Sequence, residues 1–115
     1  MIKLSYSGKE YVLEYDKDSI RTLERLGFTL EKLSEQPMTM FPLVFRGAFY
    51  KNHKTAKQDD IDEIFKNLKK RNELVSALIK MINEQYENLM SDNDNEGNLD
   101  WEIVKHQKML QQPSP

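Results

Sequence analysis

Residues 40–50 read MFPLVFRGAFY, and this stretch decides the fold because apolar side chains occupy nearly every position around a helix wound from it. Such a helix lies at the centre of a core or in an interface, since it offers water no polar face. We predict Thr39 as its N-cap, with Pro42 in the first turn, where backbone N–H groups have no helical acceptor. The sequence therefore predicts a buried or interfacial helix here.

The first fifteen residues alternate between apolar and polar positions. The apolar residues, on either side of a break at 7–9, are Ile2, Leu4, Tyr6, Tyr11, Leu13 and Tyr15. Alternation with period two predicts a β-hairpin. Because a two-stranded hairpin alone is only marginally stable in water, we expect one of its faces to pack on the helices that follow.

Two short helices are predicted between the hairpin and the central stretch. Asp16 or Asp18 can cap the first, and Gly27 followed by Phe28 predicts a Schellman ending. The second ends before Pro37, since a residue that precedes proline avoids the helical region. The side chains predicted to face inward from these helices are Ile20, Leu23, Leu26, Leu30 and Leu33.

Two amphipathic helices are predicted in the second half of the chain. We expect the first to begin at Asp59 or Asp60, with Glu63 completing a capping box, and the second to be capped by Asn72. Apolar residues at helical spacing give the first helix the stripe Ile61, Ile64, Phe65 and Leu68. The stripe of the second is Leu74, Leu78, Met81, Ile82, Gln85 and Leu89.

The predicted fold class is α+β and mostly α, with an N-terminal β-hairpin packed on a bundle of four to five helices. We assign residues 1–90 to a single domain. Residues 91–98 read SDNDNEGN, which offers too little apolar area to offset the entropy of ordering. Residues 91–115 are therefore predicted to be a flexible linker and tail.

Composition excludes several classes of protein. Seventeen Lys and Arg against nineteen Asp and Glu give a formal net charge of −2, so no global field attracts nucleic acid or an acidic membrane. No apolar run reaches the ~20 residues that a membrane-spanning helix needs. The chain contains no cysteine, which is compatible with a reducing compartment. We expect a soluble cytoplasmic protein, with no membrane partner.

Catalytic and metal-binding patterns are weak, so we predict no enzyme, no cofactor and no metal site. The two histidines, His53 and His106, are far apart in sequence, and we interpret both as exposed side chains. The acidic residues from Asp92 match the first part of a calcium loop, but Ile103 stands where the closing glutamate belongs. No serine lies in a nucleophile-elbow context.

Basic residues suggest an alternative function. Two clusters, at 51–57 and 66–71, could line one surface of a small nucleic-acid-associated regulator encoded by a mobile element. Acidic residues at 59–63 interrupt these clusters, and the overall charge is negative. We therefore do not expect nucleic acid to be the main partner.

The stretches IKLSYSGKEY (2–11), LERLGF (23–28) and QPMTMFPLVFRGAF (36–49), with IDEI (61–64) and GNLDWE (97–102), occur in this order along the chain. Together they resemble the tail assembly chaperones of siphophages and prophages of Gram-positive bacteria. The resemblance implies a protein that binds the tape measure protein, keeps it soluble and helps to recruit tail tube subunits during tail morphogenesis. It also implies that the protein acts in the host cytoplasm and is not part of the mature virion.

A chaperone of this kind needs an adaptable apolar surface for the helices of its client. The residues that could supply it, through flexible thioethers and large rings, are Met38, Met40, Phe41, Phe45 and Phe49. The competing interpretation places these side chains in the core of the protein. We expect one side of the helix to remain available for client binding or for self-association into a homo-oligomer.

Overall fold

The computed structural model describes residues 1–90 and 99–104, and its fold is a β-hairpin followed by five helices. The elements are β1 (Ile2–Tyr6), β2 (Lys9–Leu13), α1 (Lys17–Arg25), α2 (Lys32–Glu35), α3 (Pro37–Gly47), α4 (Gln58–Lys66) and α5 (Arg71–Met90). The predicted α+β, mostly helical class is confirmed. Residues 99–104 have no regular secondary structure. The rest of the predicted linker and tail, 91–98 and 105–115, lies outside the described residues.

The hairpin closes through a two-residue turn. Ser7 and Gly8 both have positive φ, 50° and 74°, as a type I′ turn requires. The strands pair with Leu4 opposite Tyr11, which places the alternating apolar residues on one face. That face packs into the core at β2, where Tyr11 and Leu13 are buried. The packing of the hairpin on the helices is thus as predicted.

Local hydrogen bonds fix both ends of α1. Asp16 accepts a bond from the backbone N–H of Ser19 at 2.8 Å, and the Ser19 hydroxyl accepts one from the Asp16 N–H at 2.7 Å. At the other end Gly27 has a φ of 100°, and the Phe28 N–H reaches the Leu23 carbonyl at 3.0 Å. The predicted Schellman ending is confirmed. Leu26, however, was predicted to face inward and is exposed, because it is the C-cap residue beyond the last full turn.

Helix α3 is the common partner of the other elements. It packs against each of the four other helices, and the Phe49 ring just beyond its end lies 5.4 Å from the Tyr11 ring of β2. The core formed around α3 consists of Tyr11, Leu13, Tyr15, Ile20, Leu23, Phe28, Met40, Leu43, Val44, Phe45, Ala48, Phe49, Ile61, Ile64, Leu78 and Ile82. Its later turns are therefore buried on nearly every side.

The start of α3 differs from the prediction. The helix begins at Pro37, with Gln36 as the N-cap, and Thr39 lies inside the first turn. Pro37 suits this position because its missing N–H would have no helical acceptor there. Pro42 then lies in the interior of the helix, where it cannot donate to the Met38 carbonyl. Burial of the following turns offsets this lost hydrogen bond.

The predicted starts of α4 and α5 also need correction. Helix α4 begins at Gln58 after Lys57, with no side-chain cap, so the capping box between Asp60 and Glu63 is wrong. Helix α5 begins at Arg71, which places Asn72 within the helix. The stripes point inward except at Leu89, which was predicted to lie on the stripe and is exposed in the last turn of α5; that helix also buries Val75. Apolar periodicity located these helices better than capping signals did, because burial contributes more than a single cap.

The end of α3 receives a hydrogen bond from a buried tyrosine. The Tyr15 hydroxyl donates to the Val44 carbonyl at 2.6 Å, in the last turn, where carbonyls lack complete helical partners. Burial raises the pKa of Tyr15 far above its ordinary value. Tyr15 thus joins the segment after β2 to the centre of the core.

Gly47→Ala is expected to destabilise the protein. A Cβ at this position would lie 2.7 Å from Cδ2 of Leu23, whose side chain is fully buried and cannot move aside. We expect a loss of about 1–3 kcal/mol from overpacking, which exceeds the gain of up to ~1 kcal/mol in helix propensity. Urea denaturation measures the change. The matched control is Thr39→Ala, an exposed site on the same helix; equal stability of the two variants would contradict the close packing.

Tyr15→Phe is expected to cost about 1–3 kcal/mol at neutral pH, because the buried Val44 carbonyl loses this donor. In the wild-type protein the raised pKa of Tyr15 favours the protonated hydroxyl, so its contribution to stability is present below pH ~10 and is lost at higher pH. Tyr15→Phe has no hydroxyl to ionise, so its stability does not fall at alkaline pH for this reason. Unfolding free energies from pH 7 to above pH 10 test both effects, and coincident curves for the two proteins would refute the role of the hydroxyl.

Candidate partner-binding surface

The structure separates the five side chains predicted to bind a partner. Met40, Phe45 and Phe49 are buried in the core. The Phe45 ring lies 5.1 Å from the Phe49 ring and 5.1 Å from the Phe65 ring, so it joins the end of α3 to α4. These three side chains are not accessible to a partner in the folded chain. Met38 and Phe41 remain on the outside.

Met38 and Phe41 belong to a larger set of apolar side chains that water reaches. Met38, in the first turn of α3, is 89% exposed, while Phe41 is half-buried. Three leucines just before α3 are also exposed or half-buried: Leu26, Leu30 and Leu33. We call these five residues the α2 surface, because they lie on α2, in the segment between α1 and α2, or in the first turns of α3.

Contacts around α2 stabilise the α2 surface but leave its side chains in contact with water. Helix α2 packs on α3, yet none of its four residues is buried. The Thr29 hydroxyl accepts a hydrogen bond from the Lys32 N–H at 3.1 Å, and the Lys32 ammonium donates to the Gly27 carbonyl at 3.3 Å. The sequence analysis placed Leu26 and Leu30 inward because periodicity alone does not show where a short helix loses contact with the core.

The polar side of α3 has a structural role. The Arg46 guanidinium forms two hydrogen bonds with the Asp62 carboxylate of α4, at 2.9 and 3.0 Å. The hydrogen bond to Asp62 raises the pKa of Arg46. Such a bidentate pair fixes the orientation of one helix on the other. Arg46 is therefore a link between α3 and α4 rather than a free charge for a partner.

His53 is not the exposed side chain that the sequence analysis predicted. Its Nε2 atom accepts a hydrogen bond from the Val12 N–H at 2.8 Å, and its ring lies 5.1 Å from the Tyr11 ring. The sequence does indicate that His53 faces the core, since it follows the apolar Phe49 at a helical interval of four. An imidazole nitrogen that accepts this bond carries no proton. His53 thus holds β2 in place. His106 lies outside the described residues.

Three of the basic residues contact other groups of the protein. Arg71 donates to the Phe65 and Lys66 carbonyls at the end of α4, at 2.9 and 2.8 Å, and lies over the Phe65 ring. Lys66 pairs with Glu63 at 3.8 Å. In the other basic cluster, Lys51 lies 3.5 Å from the Glu14 carboxylate. Asn52 donates a hydrogen bond to the same carboxylate, and this bond is the main reason that the pKa of Glu14 is lowered.

A second group of exposed apolar side chains lies beyond the turns of α5 that pack on the core. Leu89 and Met90 are the last two residues of α5 and both are exposed, and Trp101 is 80% exposed. Near Leu89 a groove between α1 and α5 is bridged by Tyr86, whose hydroxyl donates to Glu24 at 2.7 Å. Burial and this hydrogen bond raise the pKa of Tyr86 to about 12.

Residues 1–90 and 99–104 include no group of three or more His, Asp or Glu side chains arranged to hold a metal ion. The acidic residues weighed for calcium, beginning at Asp92, fall mostly outside the described part of the chain. Among the described helices, none is long and apolar enough to cross a membrane. What the described surface does present is apolar side chains without a partner, and such surfaces usually mark protein–protein interaction.

Fold and surface define a small α+β domain with exposed apolar side chains. The chain belongs to the DUF5055 family, which is described as a domain of unknown function, and the match covers residues 1–104. It therefore includes the exposed segment 99–104, beyond the boundary at residue 90 that the sequence analysis proposed. Comparisons with curated proteins and with solved structures gave no match.

Arg71→Ala is expected to lower the melting temperature, because it removes two hydrogen bonds at the end of α4 and a cation–π contact. The loss should be roughly 1 kcal/mol. Lys69→Ala, at an exposed site in the same basic cluster, is the control and should leave stability nearly unchanged. Thermal denaturation compares the two. Equal melting temperatures would show that Arg71 is free for another role.

Proposed function

We propose that the protein is a tail assembly chaperone of a long-tailed bacteriophage or prophage. In this role it binds the tape measure protein, keeps it soluble and helps to gather tail tube subunits around it in the cytoplasm of the bacterial host. The proposal draws on the resemblance of the stretches 2–11, 23–28, 36–49, 61–64 and 97–102 to that family. The single structural observation that supports it is the α2 surface.

The α2 surface has the chemistry that an amphipathic client helix requires. Met38 supplies a flexible thioether that adapts to different apolar neighbours, and Phe41 supplies a large ring beside it. Leu26 and Leu30 extend the apolar area along the segment of this chain that leads into α2. A client helix would place its apolar stripe against these side chains, as amphipathic helices do in hydrophobic grooves. The tape measure protein, a long helical polymer, offers many such stripes.

The leading alternative is a small nucleic-acid-associated regulator encoded by a mobile element. Nucleic-acid binding depends on free Lys and Arg side chains that meet phosphates. Arg71, Lys66 and Lys51 each contact groups of the protein itself. Acidic residues on α4 lie beside the second basic cluster. These contacts favour the chaperone over the regulator.

Co-expression with the tape measure protein of the same phage tests the proposal. We expect this chain to increase the soluble yield of the client and to co-purify with it. Met38→Glu should reduce client capture several-fold, because it places a charge within the apolar contact. The matched control is Met90→Glu, which changes a methionine of similar exposure, 85%, outside the α2 surface. A melting curve for each variant verifies folding.

Salt dependence separates the two candidate functions. Capture through apolar contacts should change little as salt rises, whereas phosphate-driven binding weakens by ~10³-fold or more over a few-fold rise in salt. Pull-downs and mobility shifts over the same salt series measure both. Tight, salt-sensitive binding of DNA or RNA, with no capture of the tape measure protein, would reject the chaperone. Equal capture by Met38→Glu and Met90→Glu would reject the α2 surface as its site.

A further inference from the structure

One edge of the hairpin is bonded to the rest of the domain, and the other is open. On β2 the Val12 N–H donates to His53, and the Val12 carbonyl accepts from the Asn52 amide at 3.3 Å. Both groups therefore point away from β1. Since Lys3 stands opposite Val12 and Ser5 opposite Glu10, the Lys3 and Ser5 backbone groups point away from β2 as well. The sheet has only these two strands within the described residues.

Burial on the hairpin falls from β2 to β1. Leu13 and Tyr11 are buried, while Ile2, Leu4 and Tyr6 on the same face are half-exposed. The opposite face of β1 carries the exposed side chains of Lys3 and Ser5. The open edge thus has an apolar face and a polar face, and on the polar face Lys3 supplies the positive charge of β1. A strand added there would find both hydrogen-bonding groups and uncovered apolar area.

Residues 99–104, LDWEIV, have the complementary pattern. Leu99, Trp101 and Ile103 share one parity, and Asp100 and Glu102 share the other. All five side chains are exposed. Strict alternation of apolar and charged residues is typical of a strand with one covered face. Within the single chain this segment forms no strand.

We propose that residues 99–104 of a second copy pair with β1 as an additional antiparallel strand. The outward-pointing backbone groups of Lys3 and Ser5 bond to the added strand, and the pairing of Lys3 with Glu102 selects the register. Glu102 of the second copy stands opposite Lys3, Trp101 opposite Leu4 and Asp100 opposite Ser5. In this register both acidic side chains fall on the polar face of β1, with Glu102 beside Lys3, and each large apolar side chain continues the apolar face.

Charge, shape and chain length support the pairing of residues 99–104 of a second copy with β1. Glu102 opposite Lys3 is a favourable cross-strand pair, whereas two β1 edges paired in the register with Lys3 opposite Lys3 would repel. Trp101 beside Leu4 covers apolar area that one chain leaves in contact with water. The connection from residue 90 to residue 99 can span up to about 30 Å, enough to reach across an interface. Reciprocal exchange closes a dimer, and non-reciprocal exchange extends a ring or filament.

Trp101 is the only tryptophan of the chain, so its fluorescence reports on this contact directly. We expect its emission to shift to shorter wavelength as concentration rises, in step with an increase in mass measured by sedimentation of the full chain. A monomer at all concentrations with a water-exposed Trp101 would overturn the proposal. So would a shielded Trp101 in a protein that sediments as a monomer, which would place the segment on its own chain.

Ser5→Pro tests the edge itself. Proline at position 5 removes an N–H that points outward and leaves the bonds between β1 and β2 in place. We expect association to weaken at least roughly tenfold, and the Trp101 shift to disappear with it. Ser5→Ala, which keeps the N–H, should associate like the wild-type protein. Association of Ser5→Pro at wild-type strength would place the interface elsewhere.

Charge reversal tests the register. Lys3→Glu and Glu102→Lys should each weaken association by roughly two- to fivefold, and the double variant should restore it. The double-mutant cycle separates this pair from general charge effects, because Lys3→Glu with Asp100→Lys should restore less. Additive losses in the Lys3 and Glu102 double variant would refute the pairing. None of these measurements involves the client, so their outcome is independent of the chaperone proposal.

Discussion

The fold depends on the burial of the later turns of α3, where the helix touches all its neighbours at once. Phe45 packs against α4, Phe49 packs against β2, and Gly47 lies against Leu23 of α1. The absence of a side chain at Gly47 is what lets α1 and α3 approach so closely. Burial of large rings in this way contributes most of the stability available to a domain of this size.

Such a buried helix end leaves polar backbone groups that need partners. The Tyr15 hydroxyl donates a hydrogen bond to the Val44 carbonyl, and the Glu14 N–H donates one to the Ala48 carbonyl at 3.1 Å. The chain beyond α3 returns to β2, where His53 and Asn52 bond to Val12. The hairpin is therefore attached through hydrogen bonds as well as apolar contact. This attachment covers one edge of the sheet and leaves the other open.

Two of the apolar regions that the described residues leave in contact with water differ in character. The α2 surface consists of leucine, methionine and phenylalanine on short helical elements, which suits an adaptable contact with helices. The open edge of β1 carries directional hydrogen-bonding groups, which suit one strand in one register. We propose the first for a client and the second for another copy of the chain.

The sequence by itself determined the elements, because alternation, helical stripes and the Gly27 stop are local properties of the chain. It predicted the hairpin, the Schellman ending of α1, the helices that carry the apolar stripes, and the importance of residues 40–50. It did not determine which side of α3 faces inward, since an almost wholly apolar helix gives no periodicity from which to choose. Only the tertiary structure buried Met40, Phe45 and Phe49 and left Met38 and Phe41 outside. Likewise, only packing could place His53 on β2, because that hydrogen bond joins residues 41 positions apart.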